Sequence, residues 1–256
     1  MMTTEQEKLI QEPIFQYFHE LCQIPRPSFH EEKISAYLLE WAGNQGLEAE
    51  QDAAKNVFIR KPATPGYEHA PCIMLQAHMD MVCEKSPEIE HDFDSDSISW
   101  QIEGDRINTG GRTTLGADDG IGVAYAMAIL TDESLEHPEL EVLFTTAEEE
   151  DLSGAEHFDA SRMRAARLIN LDHPCDTEIY ASGGIRIVVL QEDRQRCHKN
   201  HDDARLKRRP EIPGEIAPDK ILLQIREQQD QHVDHKHDAK AVHQLGLHVL
   251  HGHVPV

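Results

Sequence analysis

The sequence lacks long apolar runs and contains few cysteines. No run approaches the roughly 20 apolar residues that a membrane-spanning helix requires. The five cysteines are odd in number and irregularly spaced, which favours reduced thiols over a disulfide framework. The first residues show no basic segment followed by an apolar one, so we expect no secretory signal. Together these absences predict a cytoplasmic protein that does not enter membranes.

Positive charge is also scarce. The chain of 256 residues contains 24 Lys and Arg against 47 Asp and Glu, which gives a formal net charge of −23. A chain this acidic repels phosphate backbones and anionic lipids, so we expect neither a nucleic acid nor a membrane surface as its partner. Clustered carboxylates attract cations, however, and metal ions therefore remain candidate ligands.

Aromatic residues are absent from the last quarter of the chain. All 14 aromatic residues lie in 1–190, whereas nine of the 17 histidines lie in 191–256. A segment without aromatic side chains buries little apolar surface when it folds. We therefore predict two parts: a globular part over 1–190, and an irregular, His-rich tail over 191–256 that is disordered or non-native.

Helical and extended patterns alternate along the globular part. The predicted helices cover 7–22, a segment from Ser28 to Gly46 that opens with Ser28 and Glu31 as a capping box, 120–130, and a segment beginning at Ser153. The predicted strands cover 56–60, 72–77, 141–145 and 167–171. This alternation favours an α/β fold with helices on the faces of a sheet. In such open sheets, ligands bind at the carboxyl ends of the strands.

Acidic and imidazole side chains follow the predicted strands or open a predicted helix. They lie at His78–Asp80, Asp118–Asp119, Glu148–Asp151 and Asp172–His173. Each set alone is compatible with an ordinary solvated turn. Their recurrence predicts carboxylates that converge at one edge of the sheet, where they repel one another unless they are protonated or neutralised by a cation. Carboxylates with one imidazole suit zinc, manganese or cobalt.

Several motifs carry a family resemblance. The stretch LQAHMDMV at 75–82 resembles the first metal motif of the aminoacylase/carboxypeptidase family of di-zinc exopeptidases. More narrowly, it is similar to the cytosolic aminoacyl-histidine (Xaa-His) dipeptidases of the peptidase D type. The match continues at 113–122, 140–145 and 168–172, and in all it covers about 10–189. It implies the N-terminal part of a zinc-exopeptidase-like mixed sheet flanked by helices, and a homodimer that hydrolyses Xaa-His dipeptides through a metal-bound water.

The resemblance also implies roles for individual residues. The implied metal ligands are His78, Asp118, Glu149 and Asp172. Asp118 would bridge two zinc ions (cobalt or manganese being alternatives), and its peptide bond to Asp119 is cis in such proteins. Asp80 would orient the imidazole of His78, as carboxylates behind a metal ligand do. Glu148 would act as the general base, taking a proton from the attacking water and delivering it to the leaving amine.

The resemblance ends near residue 189. Members of this family continue into an inserted dimerisation or lid domain and then supply a final metal-binding histidine. Neither is present here, so we expect an incomplete catalytic domain, no dimerisation domain, and a second metal position without its imidazole. The tail resembles out-of-frame translation, which gives the hypothesis of a truncated or frameshifted product with impaired activity. The alternatives are an inactive remnant that binds one metal, and a metal-sequestering protein that uses tail residues such as His232, His235 and His237.

Overall fold

The computed structural model describes residues 2–172 and, as backbone, the strands 178–181 and 185–188. The chain divides into two compact units, Met1–Asp172 and His173–Val256. In the second unit the described part is an antiparallel hairpin. The predicted boundary at residue 190 and the whole His-rich tail lie outside the described residues.

The helices of the first unit are short and amphipathic or buried. They are α1 (Thr4–Leu9), α2 (Pro13–Cys22), α3 (Glu32–Asn44), α4 (Ala117–Thr131) and α5 (Ser153–His157), with a 3₁₀ turn at Ala160–Arg162. The single helix predicted over 7–22 is wrong, because the chain breaks into two helices at Pro13. Proline lacks the amide hydrogen that an interior helical position needs, so Pro13 instead occupies the first turn of α2. None of the helices in the described part combines the length and the apolar character that crossing a bilayer requires.

The described strands form one five-stranded sheet and two hairpins. They are β1 (Glu48–Gln51), β2 (Val57–Lys61), β3 (Ile73–His78), β4 (Gln101–Glu103), β5 (Arg106–Asn108), β6 (Leu140–Thr145), β7 (Arg167–Asn170), β8 (Glu178–Ala181) and β9 (Ile185–Val188). The order in the main sheet is β1-β2-β6-β3-β7. Strands β3, β6 and β7 run parallel, and β1 and β2 are antiparallel to their neighbours. This arrangement confirms the expected mixed sheet.

Helices pack against the centre of the sheet and bury its side chains. Helix α4 packs against β3 and α2, and α3 packs against β1 and β2. Met74, Val142 and Phe144 are fully buried in this core, and burying each such side chain stabilises the fold by about 1.5–3 kcal/mol. His78 pairs with Thr145 across the parallel β3–β6 ladder. The carboxyl ends of these two strands are therefore level, and the turns that follow them lie side by side.

The capping box predicted at Ser28 and Glu31 does not form. Helix α3 begins at Glu32, and Glu31 makes no side-chain cap bond to it. Phe29 adopts a left-handed backbone conformation (φ +67°), which turns the chain between Ser28 and the helix. Both side chains instead make hydrogen bonds at the carboxyl end of the sheet. The hydroxyl of Ser28 donates to Asp80, and the carboxylate of Glu31 accepts the buried backbone N–H of Ala147, which would otherwise lack a partner.

Candidate metal centre

The predicted ligands meet at the carboxyl end of the main sheet. Two groups of three side chains each offer ligand atoms that lie within 4.8 Å of one another. The first group is His78, Asp118 and Glu149, and the second is His78, Glu148 and Asp172. The elements that carry them are the end of β3, the start of α4, and the turns after β6 and β7. The structure thus brings together the side chains that the sequence singled out as candidate ligands and as the candidate base.

His78 lies at the centre of this cluster. Its side chain is 1% exposed, and its Nε2 atom is 3.1 Å from Oδ1 of Asp118 and 3.8 Å from Oε2 of Glu148. Burial lowers the pKa of His78, but the hydrogen bonds to Asp118 and Asp80 outweigh it and raise that pKa to about 10. Without a cation, the imidazole is therefore protonated among carboxylates, and a bound metal has to displace that proton.

Asp80 is buried and joins two parts of the site. Its carboxylate accepts hydrogen bonds from Nδ1 of His78 (3.2 Å), from the hydroxyl of Ser28 (2.7 Å) and from the backbone N–H groups of Glu148 (3.1 Å) and Glu149 (3.2 Å). Burial raises the pKa of Asp80, but these donors together hold it below its usual value. The carboxylate thus stays charged and fixes both the imidazole and the turn that bears the two glutamates. The sequence indicated only the first of these contacts.

The start of α4 places Asp118 against His78. The peptide bond between Asp118 and Asp119 is cis, as the resemblance implies. Neither aspartate has helical backbone angles, so the regular helix begins at Gly120, as the sequence predicts. The hydrogen bond from His78 lowers the pKa of Asp118, whose side chain is 74% exposed and open to a ligand.

Asp119 links the backbone of His78 to the start of α4, a role that the sequence did not reveal. Its Oδ2 atom accepts the backbone N–H of His78 (3.2 Å), and its Oδ1 atom accepts that of Gly122 (3.1 Å). Burial raises the pKa of Asp119 to about 7. Only the second contact is local in sequence, so the pattern of residues gives no signal for the contact with β3.

Glu148 and Glu149 follow β6 in a turn that begins at Ala147 (φ +52°). Burial raises the pKa of both glutamates, and neighbouring carboxylates add to this shift, whereas His78 opposes it. A raised pKa suits a side chain that accepts and then releases a proton near neutral pH. Each glutamate belongs to one of the two donor groups, so both lie within reach of a cation beside His78.

The donor set fits a divalent metal. One imidazole and several carboxylates are the borderline-to-hard ligands that zinc, cobalt and manganese accept. Ligand atoms around a tetrahedral zinc ion lie about 3.3–3.6 Å apart, and the observed groups need only small side-chain movements to reach that spacing. Both groups use the same imidazole, that of His78. Within the described residues, the two candidate groups therefore offer one histidine side chain between them.

Comparison with known proteins places the chain among peptidases. The sequence profile of peptidase family M28 matches residues 56–205. The cytosol non-specific dipeptidase of Escherichia coli K12 is 43% identical over 184 residues, which cover 71% of this chain and 38% of that protein. The chain therefore spans about two fifths of that relative's length.

Solved structures give the same picture of the fold. Aminoacylhistidine dipeptidase from Vibrio alginolyticus matches with a TM-score of 0.61 and 41% identity, over 63% of this chain and 33% of that one. Aminopeptidase PepT from Bacillus cereus matches with a TM-score of 0.56 and 27% identity, over 64% of this chain and 44% of that one. These neighbours confirm the mixed α/β fold, and the Vibrio alginolyticus structure together with the Escherichia coli relative confirms the resemblance to dipeptidases. The profile match covers more than half of the sequence, and the chain belongs to peptidase family M28.

Proposed function

We propose that this chain is a metal-dependent dipeptidase of the cytoplasm that acts on Xaa-His dipeptides with impaired activity. The observation that carries the proposal is the convergence of His78, Asp118 and Glu149 at the carboxyl end of the sheet. Two relatives support the reaction class, because one is named a cytosol non-specific dipeptidase and the other an aminoacylhistidine dipeptidase.

The metal would be held by His78, Asp118, Glu149 and Asp172, with zinc as the proposed ion. A divalent cation bound there supplies a positive charge that polarises the scissile carbonyl and makes water more acidic. Asp80 keeps the imidazole oriented, since its Oδ1 atom lies 3.2 Å from Nδ1 of His78 and leaves Nε2 facing Asp118. The protein thus presents a preformed set of ligand atoms.

Glu148 is the proposed general base. Its Oε2 atom is 3.8 Å from Nε2 of His78, so the carboxylate lies beside the ligands. Its pKa is raised by burial, which strengthens it as a proton acceptor. Glu148 takes a proton from the attacking water and passes it to the amine that leaves when the peptide bond breaks.

A second candidate is an inactive remnant that binds one metal. It is favoured by the sharing of His78 between the two donor groups, because each ion of a dinuclear centre in such exopeptidases is expected to have its own histidine. The same observation is why we propose impaired turnover for the first candidate.

The test combines metal content and hydrolysis on the full chain. We expect about one zinc ion per chain, slow hydrolysis of Xaa-His dipeptides with added zinc, and loss of hydrolysis but not of zinc in Glu148→Gln. Loss of zinc in His78→Ala, but not in a variant with His232, His235 and His237 all changed to Gln, would assign the ion to the sheet. Zinc without hydrolysis would favour the remnant, and absence of zinc from the wild type would overturn the proposal.

A further inference from the structure

Residues 26–31, between α2 and α3, contact three of the four segments that carry candidate ligands: the end of β3, the start of α4 and the turn after β6. We call these residues the strap. Arg26 is 3% exposed, and its Nη1 atom donates to the carbonyl oxygens of Met79 and Asp80, at 3.1 Å each. Its Nη2 atom donates to the carbonyl oxygen of Gly116, two residues before Asp118. The strap therefore joins the turn after β3 to the start of α4.

The other end of the strap reaches the turn after β6. Glu31 is 4% exposed, and its Oε1 atom accepts the backbone N–H of Ala147 (2.8 Å). The same atom accepts the N–H of Phe29 (3.0 Å) within the strap. Ala147 directly precedes Glu148 and Glu149 and has a left-handed backbone conformation, which this hydrogen bond helps to hold.

Helix capping does not account for Glu31. It occupies the N-cap position of α3, but its side chain makes no cap bond there. Burying a carboxylate is unfavourable unless it accepts hydrogen bonds, and Asp80 is close enough to raise its pKa further. Burial of Glu31 therefore opposes folding, and its long-range hydrogen bond goes to Ala147, at the start of the turn that carries Glu148 and Glu149. These two observations indicate a role for Glu31 in the site.

We propose that Glu31 is a positioning residue of the metal centre. By accepting the Ala147 N–H, it fixes the turn after β6 so that Glu149 lies against His78 and Asp118. Glu31 acts through Ala147 and belongs to neither donor group. This inference rests on the proposed function, since it assigns Glu31 a part in the same metal site.

Loss of the hydrogen bond between Glu31 and Ala147 should lower the affinity of the site for a metal ion. Without Glu31, the backbone N–H groups of Glu148 and Glu149 still donate to the carboxylate of Asp80, but the N–H of Ala147 loses its acceptor. Removing a group that orients a metal ligand typically weakens metal binding by about 10–100-fold, so we expect about a tenfold loss of affinity in Glu31→Leu. In Glu31→Gln we expect affinity close to that of the wild type, because both N–H donors bind Oε1, which glutamine retains.

The experiment uses the full chain and Co²⁺ alone as the probe. Calorimetry gives the affinity, and the visible absorption bands of bound Co²⁺ report the ligand geometry, which general destabilisation does not change. We expect Glu31→Leu to bind about tenfold more weakly with altered bands, and Glu31→Gln to match the wild type. Ile34→Ala, a buried change on α3, is the matched control and should lower thermal stability while leaving the bands unchanged.

Each outcome decides between the proposals. Wild-type bands and affinity in Glu31→Leu would overturn the role of Glu31 alone, as would a loss in Glu31→Gln equal to that in Glu31→Leu. Absence of Co²⁺ binding by the wild type would overturn the metal site itself and with it this role. Should Glu31→Leu fail to fold, Glu31→Asp replaces it: this variant keeps the charge but shortens the reach, and it should also bind more weakly than Glu31→Gln.

Discussion

Nδ1 of His78 lies 3.2 Å from Oδ1 of Asp80, and both side chains are buried. In an extended chain, residues two positions apart point to the same face, so a His-x-Asp spacing at the end of β3 brings the two side chains together. The same carboxylate holds the turn of Glu148 and Glu149. Imidazole and glutamates are therefore fixed by one side chain.

Replacing Asp80 should weaken metal binding. Asp80→Asn removes the charge and turns one acceptor oxygen into a donor, so it cannot satisfy all four donors that meet the carboxylate. We expect zinc affinity to fall by about 10–100-fold, measured by competition with a chelator. Glu90→Gln, an exposed change, is the control. Equal zinc affinity in Asp80→Asn and Glu90→Gln would contradict the role of Asp80.

Metal affinity should rise with pH. The pKa of His78 is raised to about 10 in the cation-free site, and a metal binds the imidazole only after that proton leaves. Below this pKa, each unit of pH therefore raises the apparent affinity by about tenfold, and the rise levels off above pH 10. Calorimetry between pH 6 and 8 in buffers of different ionisation enthalpy would measure the released proton. A flat profile would contradict the prediction.

Replacing Gly122 with alanine should disturb the site through Asp119. A Cβ atom added to Gly122 would lie 2.2 Å from Oδ1 of Asp119, so the carboxylate that accepts the N–H of His78 must move. Overpacking of this kind costs about 1–3 kcal/mol, and we expect Gly122→Ala to lose that much stability in urea unfolding and to bind zinc more weakly.

The matched control is Gly43→Ala in α3. A Cβ atom there meets nothing within 4 Å, and alanine favours a helix over glycine by about 1 kcal/mol. Gly43→Ala should therefore gain stability and leave zinc binding unchanged. If both glycine variants changed stability in the same direction, the contact with Asp119 would not be the cause.

Acid should destabilise the chain through His137. This histidine is buried; its Nδ1 atom lies 2.7 Å from the carbonyl oxygen of Pro138, and Nε2 has no hydrogen-bond partner among the described residues. Burial lowers the pKa of His137, so protonation favours the unfolded chain, whose histidine pKa is about 6.5. The stability that the neutral ring provides is therefore present above that pH and is lost as the pH falls towards the lowered folded-state pKa.

The measurement compares the wild type with His137→Gln. We expect the free-energy advantage of the wild type over the variant to shrink between pH 7 and pH 5 in urea unfolding. An advantage that is constant or grows with acid would show that His137 is not the titrating group.

The features that the sequence predicted well are local. The parallel strands β3, β6 and β7 are short apolar runs, and each ends in or is followed by a candidate metal ligand. The start of the regular helix at Gly120 follows from the change from acidic to small and apolar residues. These patterns extend over a few positions, so a single sequence contains them.

The features that it missed depend on distant contacts. Ser28 and Asp80 are 52 positions apart, and Glu31 and Ala147 are 116 positions apart. The spacing of Ser28 and Glu31 is typical of a capping box, and only the packing of the strap against the strand ends gives these side chains other partners. The break at Pro13 is different, because proline is itself a local signal.

The position of β7 has a consequence for the order in which the site loses structure. Among the strands that the structure describes, β7 lies at one end of the main sheet and pairs with β3 alone. Asp172 follows this edge strand, whereas His78 ends the strand beside it. A cation shared by the two side chains would tether the border of the sheet to its interior, so chelation should let the amide hydrogens of β7 exchange with solvent before those of β6.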